Sequence, residues 1–305
     1  MTTCVPNMDF APSRTFTVGD AVRAAGNDYS DGAFFAGKWH LGSFYNDSEH
    51  YGGKTSSPIT HGFNHFNATL GCAPTYTLNC QCKAEWEPNC HFGHYNDSFH
   101  FCYGGDKNQC CFNYWWDDPM QPHGVKNLTL PTEPDDAIYL VDAFSRFVDD
   151  RKKQEKPFLA QISFHNCHIP FIGSIEAVES CARNVSCREP NGIPYTDAEL
   201  DYYACLTQLD NAVGEILHIL KSRAYFDNTV VWLASDNGPE HNCPPQGICK
   251  HGDSDPARPV EGPGSAGLLR GRKRDMHEGG HRVPGNFHGR RISGMNQHVG
   301  NSVDY

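Results

Sequence analysis

Apolar residues follow helical spacing and then strand spacing near the start of the chain. Val18, Ala21, Val22 and Ala25 lie on one side of a helix. At the start of this stretch, the sequence Thr17-Val-Gly-Asp20 has the form of a capping box, and a glycine at 26 is a natural end of the helix. The apolar run at 33–36 is short enough for a buried strand. This part of the chain therefore predicts a helix followed by a strand.

The second half of the chain alternates between helical and strand patterns. An amphipathic stripe around 138–148 is followed by an apolar strand pattern at 158–164. The longest stripe, 196–223, is the clearest helix, and a β-branched run at 229–234 follows it. Strands that alternate with helices predict an α/β fold with a mostly parallel sheet and helices on both faces.

Composition narrows the class of protein. The 305 residues are 38% hydrophobic and 20% charged, which is enough to build a core. The net charge of −11 argues against nucleic-acid binding over the whole surface. No apolar run approaches the roughly 20 residues of a membrane span. We expect a globular protein with neither nucleic acid nor a membrane span among its partners.

Cysteines and glycosylation sequons indicate an oxidising compartment. The chain has 14 Cys and five N-x-[ST] sequons, at Asn46, Asn67, Asn96, Asn127 and Asn184. Together they predict the secretory pathway, with a lysosomal or extracellular destination. The first residues show no signal-peptide pattern, so we expect the amino end of the protein to lie upstream.

Residues 43–134 differ from the rest of the chain because they are rich in Gly, Asn, Cys and aromatic residues. We interpret this stretch as a loop insertion stapled by disulfides, whose pairing the sequence does not give. A zinc site is the alternative, although C-x-C and C-C spacings differ from the usual C-x₂-C pairs. The seven cysteines of this stretch are Cys72, Cys80, Cys82, Cys90, Cys102, Cys110 and Cys111.

Polar residues follow three predicted strands, where the carboxyl ends of parallel strands form ligand sites. A basic segment at 270–274 and a Glu-Gly-Gly-His-Arg sequence at 278–282 come after the last of them. We expect these groups to converge. The strand-end residues are Lys38 and His40, then His165, Cys167 and His168, then Asp236 and Asn237.

The residue types at these strand ends point to ester hydrolysis. Asp236 and Asn237 offer hard oxygen ligands for Ca²⁺ or Mg²⁺. Lysines and a cation around one anion would neutralise charge that develops in a transition state, and His40 and His168 could move protons near neutral pH. The substrate class is then a phosphate-type or sulfate-type ester. The alternatives are an ordinary Asn-Gly hairpin turn at 235–238, a surface turn at 37–40, a buried histidine with satisfied hydrogen bonds at 168 and a solvated basic loop at 270–274.

Four segments resemble the sulfatase family, which has the alkaline-phosphatase-like fold. Residues 37–42 (Gly-Lys-Trp-His-Leu-Gly) are similar to its GKWHLG signature, and residues 168–171 to its H-x-P-F segment. Residues 235–240 (Ser-Asp-Asn-Gly-Pro-Glu) resemble its metal loop. Residues 269–284 resemble its L-R-x-x-K…E-G-G-x-R-x-P segment. The four occur in the family's order.

The resemblance implies roles for individual residues. In sulfatases a cysteine becomes formylglycine, whose hydrate attacks sulfur while Ca²⁺ and basic residues hold the sulfate. Carried over by position, Asp236 and Asn237 would bind Ca²⁺. Lys38 and Lys273 would contact the sulfate or the aldehyde hydrate. His168 would protonate the leaving alcohol, and His40 would help regenerate the aldehyde.

The chain also departs from the family pattern. The nucleophile sequence C-x-P-S-R is matched only in part, at 4–8 (Cys-Val-Pro-Asn-Met) and at 10–14 (Phe-Ala-Pro-Ser-Arg). The early Asp-Asp metal pair and the smaller carboxy-terminal subdomain are not found, and the final Asp304-Tyr305 resembles the start of a helix that is cut off. We therefore expect 1–305 to be part of a sulfatase catalytic domain, truncated at both ends, with formylglycine in an upstream segment.

Three functions remain open from the sequence. The first is a sulfuric ester hydrolase of the arylsulfatase type acting on sugar or aryl sulfates, with this chain alone inactive. The second is a non-catalytic relative that binds sulfated glycans or a partner. The third is a metal-dependent phosphohydrolase of the same fold with a Ser or Thr nucleophile, against which GKWHLG and E-G-G-x-R argue. The sequence does not give the oligomeric state.

Overall fold

The computed structural model describes ten stretches of the chain. They fall into two compact units, residues 1–216 and 217–305. The stretches are 16–26, 31–39, 41, 57–69, 113–117, 125–129, 136–168, 175–183, 197–240 and 264–289.

The first unit is a five-stranded sheet with helices. Its strands are β1 (Ala33–Lys38), β2 (His65–Thr69), β3 (Asn113–Asp117), β4 (Val125–Thr129) and β5 (Leu159–Ser163). Its α-helices are α1 (Val18–Ala24), α2 (Asp136–Gln154) and α3 (Ile175–Arg183), and a 3₁₀ helix spans Pro58–His61. A fourth helix, α4 (Asp197–Ser222), begins in this unit and ends in the second.

The sheet has the order β4-β3-β2-β1-β5. The strand β1 pairs parallel with β2 and with β5, whereas β3 pairs antiparallel with both of its neighbours. The predicted α/β fold class is confirmed, with a parallel half and an antiparallel half. Strands β2, β3 and β4 lie within 43–134, so this segment also supplies part of the sheet. Its seven cysteines lie outside the described residues, and their disulfides stay a prediction.

The predicted start of α1 is confirmed in detail. The Thr17 hydroxyl accepts from the Asp20 N–H at 3.2 Å, and the Asp20 carboxylate accepts from the Thr17 N–H at 2.9 Å. These reciprocal bonds satisfy donors that the first turn would otherwise leave without partners.

Both faces of β1 are covered, which explains why its residues read as a continuous apolar run. The Phe34 ring stacks on Phe147 of α2 at 4.8 Å between centroids. On the opposite face, Phe35 contacts Trp39 at 5.0 Å and Phe63 at 5.5 Å. Burial of each phenyl ring contributes about 1.5–3 kcal/mol. The alternation of faces along β1 therefore fixes the strand between α2 and the segment around the 3₁₀ helix.

The second unit contains β6 (Val231–Ala234), α5 (Glu278–His281), β7 (Gly285–His288) and a 3₁₀ helix at Phe226–Asn228. The predicted strand at 229–234 is confirmed. Within this unit, β6 pairs antiparallel with β7 in a sheet of two strands, and its expected place in the parallel sheet stays a prediction. The sequence of β7, Gly-Asn-Phe-His, has no apolar run that would have predicted this partner. Within the described residues, no helix is both long enough and apolar enough to cross a membrane.

Candidate active site

A glycine brings the ends of β1 and β5 close together. Gly37 pairs with Ser163 and has φ +94°, and a Cβ there would come within 2.0 Å of the Ser163 carbonyl oxygen. Only glycine fits this approach. Lys38 therefore follows at the same sheet edge at which β5 runs into His165 and His168, as expected for parallel neighbours.

A chain of three buried side chains lies just beyond these strand ends. The Nδ1 atom of His165 is 2.5 Å from Oδ2 of Asp136, the first residue of α2. The Nε2 atom is 2.8 Å from the hydroxyl oxygen of Thr69, the last residue of β2. The His165 and Asp136 side chains are each 1% exposed. This network joins three separate elements of the fold.

His168 stands at the end of a tight turn that starts at His165. Its N–H donates to the His165 carbonyl oxygen at 2.8 Å, and the residue is half-buried. Within the turn, the Asn166 amide donates to the Cys205 carbonyl oxygen of α4 at 3.5 Å. The turn is thus attached both to the sheet and to a helix.

In the second unit, the predicted metal loop follows β6 directly. The Ser235 hydroxyl donates to the Asn237 carbonyl oxygen at 2.8 Å, and the Asn237 amide donates to the Gly238 carbonyl oxygen at 2.9 Å. Asp236 is exposed. The alternative of an Asn-Gly hairpin is wrong, because β6 pairs with β7, whose first residue is Gly285, and not with a strand that follows the turn at once.

Two of the quoted motifs pack against each other through glycines. A Cβ on Gly238 would lie 1.8 Å from the Gly279 carbonyl oxygen, and the Gly238 N–H donates to the Gly280 carbonyl oxygen at 3.0 Å. The metal loop therefore needs glycine at 238 for the close approach of the two backbones, whereas Gly279 is needed where its backbone meets the Gly271 carbonyl oxygen.

Lys273 is bound to a buried glutamate of the metal loop. Its N–H donates to the Pro239 carbonyl oxygen at 2.9 Å, and its Nζ is 3.1 Å from Glu240 Oε2. Arg274 binds the other carboxylate oxygen, and the Arg272 side chain donates to the Glu240 carbonyl oxygen at 2.9 Å. For these three cations the alternative of a solvated basic loop is wrong, since each binds a group of the same unit.

Charge around Glu240 sets its protonation state. Burial of the side chain raises the pKa, but hydrogen bonds and charges from Arg274 and Lys273 outweigh burial and hold the pKa below its ordinary value. Glu240 is therefore an anion at neutral pH, and it compensates part of the positive charge predicted to meet a substrate.

The donors of the metal loop suit a hard cation but are few. Asp236 and Asn237 offer oxygen ligands, the type that Ca²⁺ prefers, whereas Ca²⁺ takes six to eight ligands. No group of three or more His, Cys, Asp or Glu side chains that could hold a metal occurs in the described stretches. These two residues could supply part of a calcium site, and its other ligands would come from elsewhere.

The candidate residues fall into two groups. Lys38 and His168 belong to the first unit, and Asp236, Asn237 and Lys273 belong to the second. His40 lies outside the described residues. Within each unit the structure brings together only the backbone segments that carry these residues, and the expected convergence of the side chains on one anion stays a prediction.

Three side chains that contact these groups have only weak local signals in the sequence, which predicts no role for them. They are Asp136, Thr69 and Glu240. Asp136 stood among the acidic residues at a helix start, and Glu240 closed the quoted metal-loop segment. Thr69 carried no signal except its place in a sequon, because its partner His165 is 96 residues away.

Comparison with known families fits these motifs. A family model described as Sulfatase matches residues 7–288. The chain belongs to the sulfatase family. It is 25% identical to an arylsulfatase of Hemicentrotus pulcherrimus over 273 residues, which covers 90% of this chain and 38% of the relative. It is 26% identical to N-acetylgalactosamine-6-sulfatase of Canis lupus familiaris, over 66% of this chain and 29% of the relative.

Solved structures share the fold of this chain. The crystal structure of Ps i-CgsB in complex with k-i-k-neocarrahexaose superimposes with a TM-score of 0.52 at 19% identity. It covers 87% of this chain and 46% of that one. The chain spans between 23% and 38% of the length of the curated relatives that it matches.

Proposed function

We propose that this chain contributes the sulfate-binding and proton-donating part of a sulfuric ester hydrolase. The observation that supports the proposal is that β1, which ends at Lys38, lies parallel to β5, and that His168 stands in the turn that follows β5. Membership of the sulfatase family supports it, because both residues stand in segments that resemble the family's motifs.

The proposed reaction cleaves the S–O bond of a sulfate ester with water, giving an alcohol and hydrogen sulfate. Lys38 and Lys273 bind the sulfate oxygens and offset the negative charge there. His168 gives a proton to the oxygen of the leaving alcohol, and His40 takes up a proton when the nucleophile is regenerated. Glu240 holds Lys273 at 3.1 Å, which limits the rotamers from which its ammonium group can meet the sulfate.

The lysines, the histidines and Glu240 provide neither the nucleophile nor a metal ion. Formylglycine, where present, provides an aldehyde hydrate that attacks sulfur, but the 305 residues hold no C-x-P-S-R sequence. The chain's own residues therefore account for sulfate binding and proton transfer alone. Asp236 and Asn237 would supply some of the ligands of a Ca²⁺ ion, and the ion would add positive charge beside the sulfate.

For the substrate we propose a sulfated sugar or an aryl sulfate. One structure with the same fold was solved with k-i-k-neocarrahexaose, and one curated relative is an N-acetylgalactosamine-6-sulfatase. Both names refer to sugar ligands or substrates of those proteins. The 14 cysteines and five sequons support a place in the secretory pathway.

A non-catalytic protein that binds sulfated glycans is the second candidate. The observation that favours it is the absence of C-x-P-S-R from the printed sequence. It uses the same lysines but predicts binding of a sulfated sugar without release of sulfate.

One experiment separates the two candidates. The 305-residue chain and the product of the complete reading frame are each titrated with galactose 6-sulfate and 4-nitrocatechol sulfate, and free sulfate is measured by ion chromatography. Hydrolysis predicts binding by both proteins and sulfate release by the complete product. Binding without release by either protein would favour the second candidate, and no binding by either would exclude both.

A further inference from the structure

The buried network of Asp136, His165 and Thr69 joins the start of α2, the turn after β5 and the end of β2. Its two contacts are short: 2.5 Å from His165 Nδ1 to Asp136 and 2.8 Å from His165 Nε2 to the Thr69 hydroxyl oxygen. Which atom donates in the hydrogen bond between His165 Nε2 and the Thr69 hydroxyl depends on the tautomer of the ring.

This order of Thr, His and Asp resembles a hydrolase triad, but its burial excludes that use. Thr69 is 4% exposed and His165 is 2% exposed. A nucleophile must reach the substrate, and the side chain of Thr69 is buried. We therefore expect the network to position neighbouring residues and not to react with the substrate.

Two of its members are attached to candidate site residues through the backbone. The His165 carbonyl oxygen accepts the N–H of His168 at 2.8 Å, and the ring of the same residue contacts Asp136 and Thr69, so the network holds the residue at which the turn to His168 begins. Thr69 pairs in register with Lys38, and its carbonyl oxygen accepts the Trp39 N–H at 3.0 Å. The third member, Asp136, is the first residue of α2 and contacts the His165 ring. The network therefore links both strand ends to the start of α2.

We propose that His165 is a positioning residue for the sulfate site, which holds His168 and Lys38 in register through its contacts with Asp136 and Thr69. A burial argument supports this role over a purely stabilising one. An apolar side chain would fill the same space without the desolvation of a carboxylate, an imidazole and a hydroxyl. What the polar network adds is a fixed direction for each of the three strand-end and helix-end segments. The catalytic meaning of this inference rests on the proposed function.

The test removes one hydroxyl and leaves the shape of the side chain. Thr69→Val deletes the contact with Nε2, and Thr69→Ser restores a hydroxyl. Val148→Ala is the matched control, since Val148 is 0% exposed and lies twelve residues from Asp136 along α2, about 18 Å. The chain is labelled with ¹⁵N-histidine, and the His168 ring signals are assigned by their loss in His168→Gln.

In Thr69→Val we expect the His168 ring signals to move and the protection of its amide against hydrogen exchange to fall about tenfold. Thr69→Ser should return both readouts to those of the wild type, and Val148→Ala should leave both unchanged. Unchanged His168 signals and amide protection in Thr69→Val would overturn the inference. A shift of equal size in Val148→Ala would also overturn it, since general loosening would then explain the effect.

A second variant keeps the test decisive if Thr69→Val does not fold. His165→Gln places an amide near the former Nε2 position, which keeps a partner for Thr69 and loses Asp136. It should move the ring signals of His168 in the same way. Failure of the proposed function would show separately, as absence of sulfate-ester binding by the wild-type chain, and the histidine signals would still decide whether His165 positions the turn.

Discussion

The pairing of Glu240 with two cations makes the effect of Glu240→Gln predictable in size and in pH dependence. The Glu240 side chain is 5% exposed and contacts Lys273, 17% exposed, and Arg274, 33% exposed. Loss of one partner of a fully buried ion pair costs about 3–5 kcal/mol. Since both cations here keep partial access to water, we expect about 2–3 kcal/mol at neutral pH.

The pH dependence of this loss follows from the direction of the pKa shift. Folding holds the pKa of Glu240 below its ordinary value of 4.5, so its stabilising effect is fully present above that value. The effect disappears as the pH falls through the lowered pKa, because the wild-type carboxyl then becomes neutral like the glutamine. The difference between wild type and Glu240→Gln should therefore shrink below about pH 4.5.

Native-state hydrogen exchange measures this difference where it arises. The amides of Gly238 and Lys273 donate within the same unit, to Gly280 and Pro239, and report its opening free energy. The matched control is Glu278→Gln, whose carboxylate is 58% exposed and 3.6 Å from Arg282, and which should cost below about 0.5 kcal/mol. A loss from Glu240→Gln that stays constant from pH 7 to pH 3, or that equals the control, would refute this reasoning.

Three other outcomes follow from the structure. Asp236→Ala should weaken Ca²⁺ binding by the complete protein about tenfold or more in a calorimetric titration, with Asp227→Ala as the exposed control; equal affinities would refute the metal assignment. His168→Ala should lower turnover of sugar sulfates about 100-fold or more but affect activated aryl sulfates far less; equal losses would indicate a packing role. The Asn67 sequon should remain unglycosylated in peptide mass spectra, because Asn67 lies in a central strand and accepts the Tyr139 hydroxyl at 3.1 Å; an occupied site would contradict this.

The elements with strong local signals were predictable from the sequence. The capping box at Thr17 and Asp20 needs only four residues, and the stripe of α4 extends over many turns. The strand β1 was predicted because both of its faces are apolar. These signals depend on neighbours in the chain, and the structure has the corresponding elements within a few residues.

The parts that depend on distant partners were not predictable. The strand β2 alternates polar and apolar residues inside a segment that looks irregular, and its place beside β1 is set by long-range pairing. The partner of β6 is a four-residue strand without an apolar run. The network of His165 joins residues from β2, α2 and the turn after β5. No local sequence pattern predicts contacts between residues so far apart in the chain. The ion cluster around Glu240 joins residues 33 and 34 positions apart in the same way.

The most direct test of the account is the affinity of the chain for a sulfate ester when its two candidate lysines lose their charge. Lys38→Met and Lys273→Met are titrated with 4-nitrocatechol sulfate, and the exposed Lys153→Met and Lys221→Met serve as controls in the two units. If both lysines bind the sulfate, each candidate variant should weaken binding about tenfold or more, while the controls should bind like the wild type. Wild-type affinity in either candidate variant would contradict a sulfate site that both lysines share.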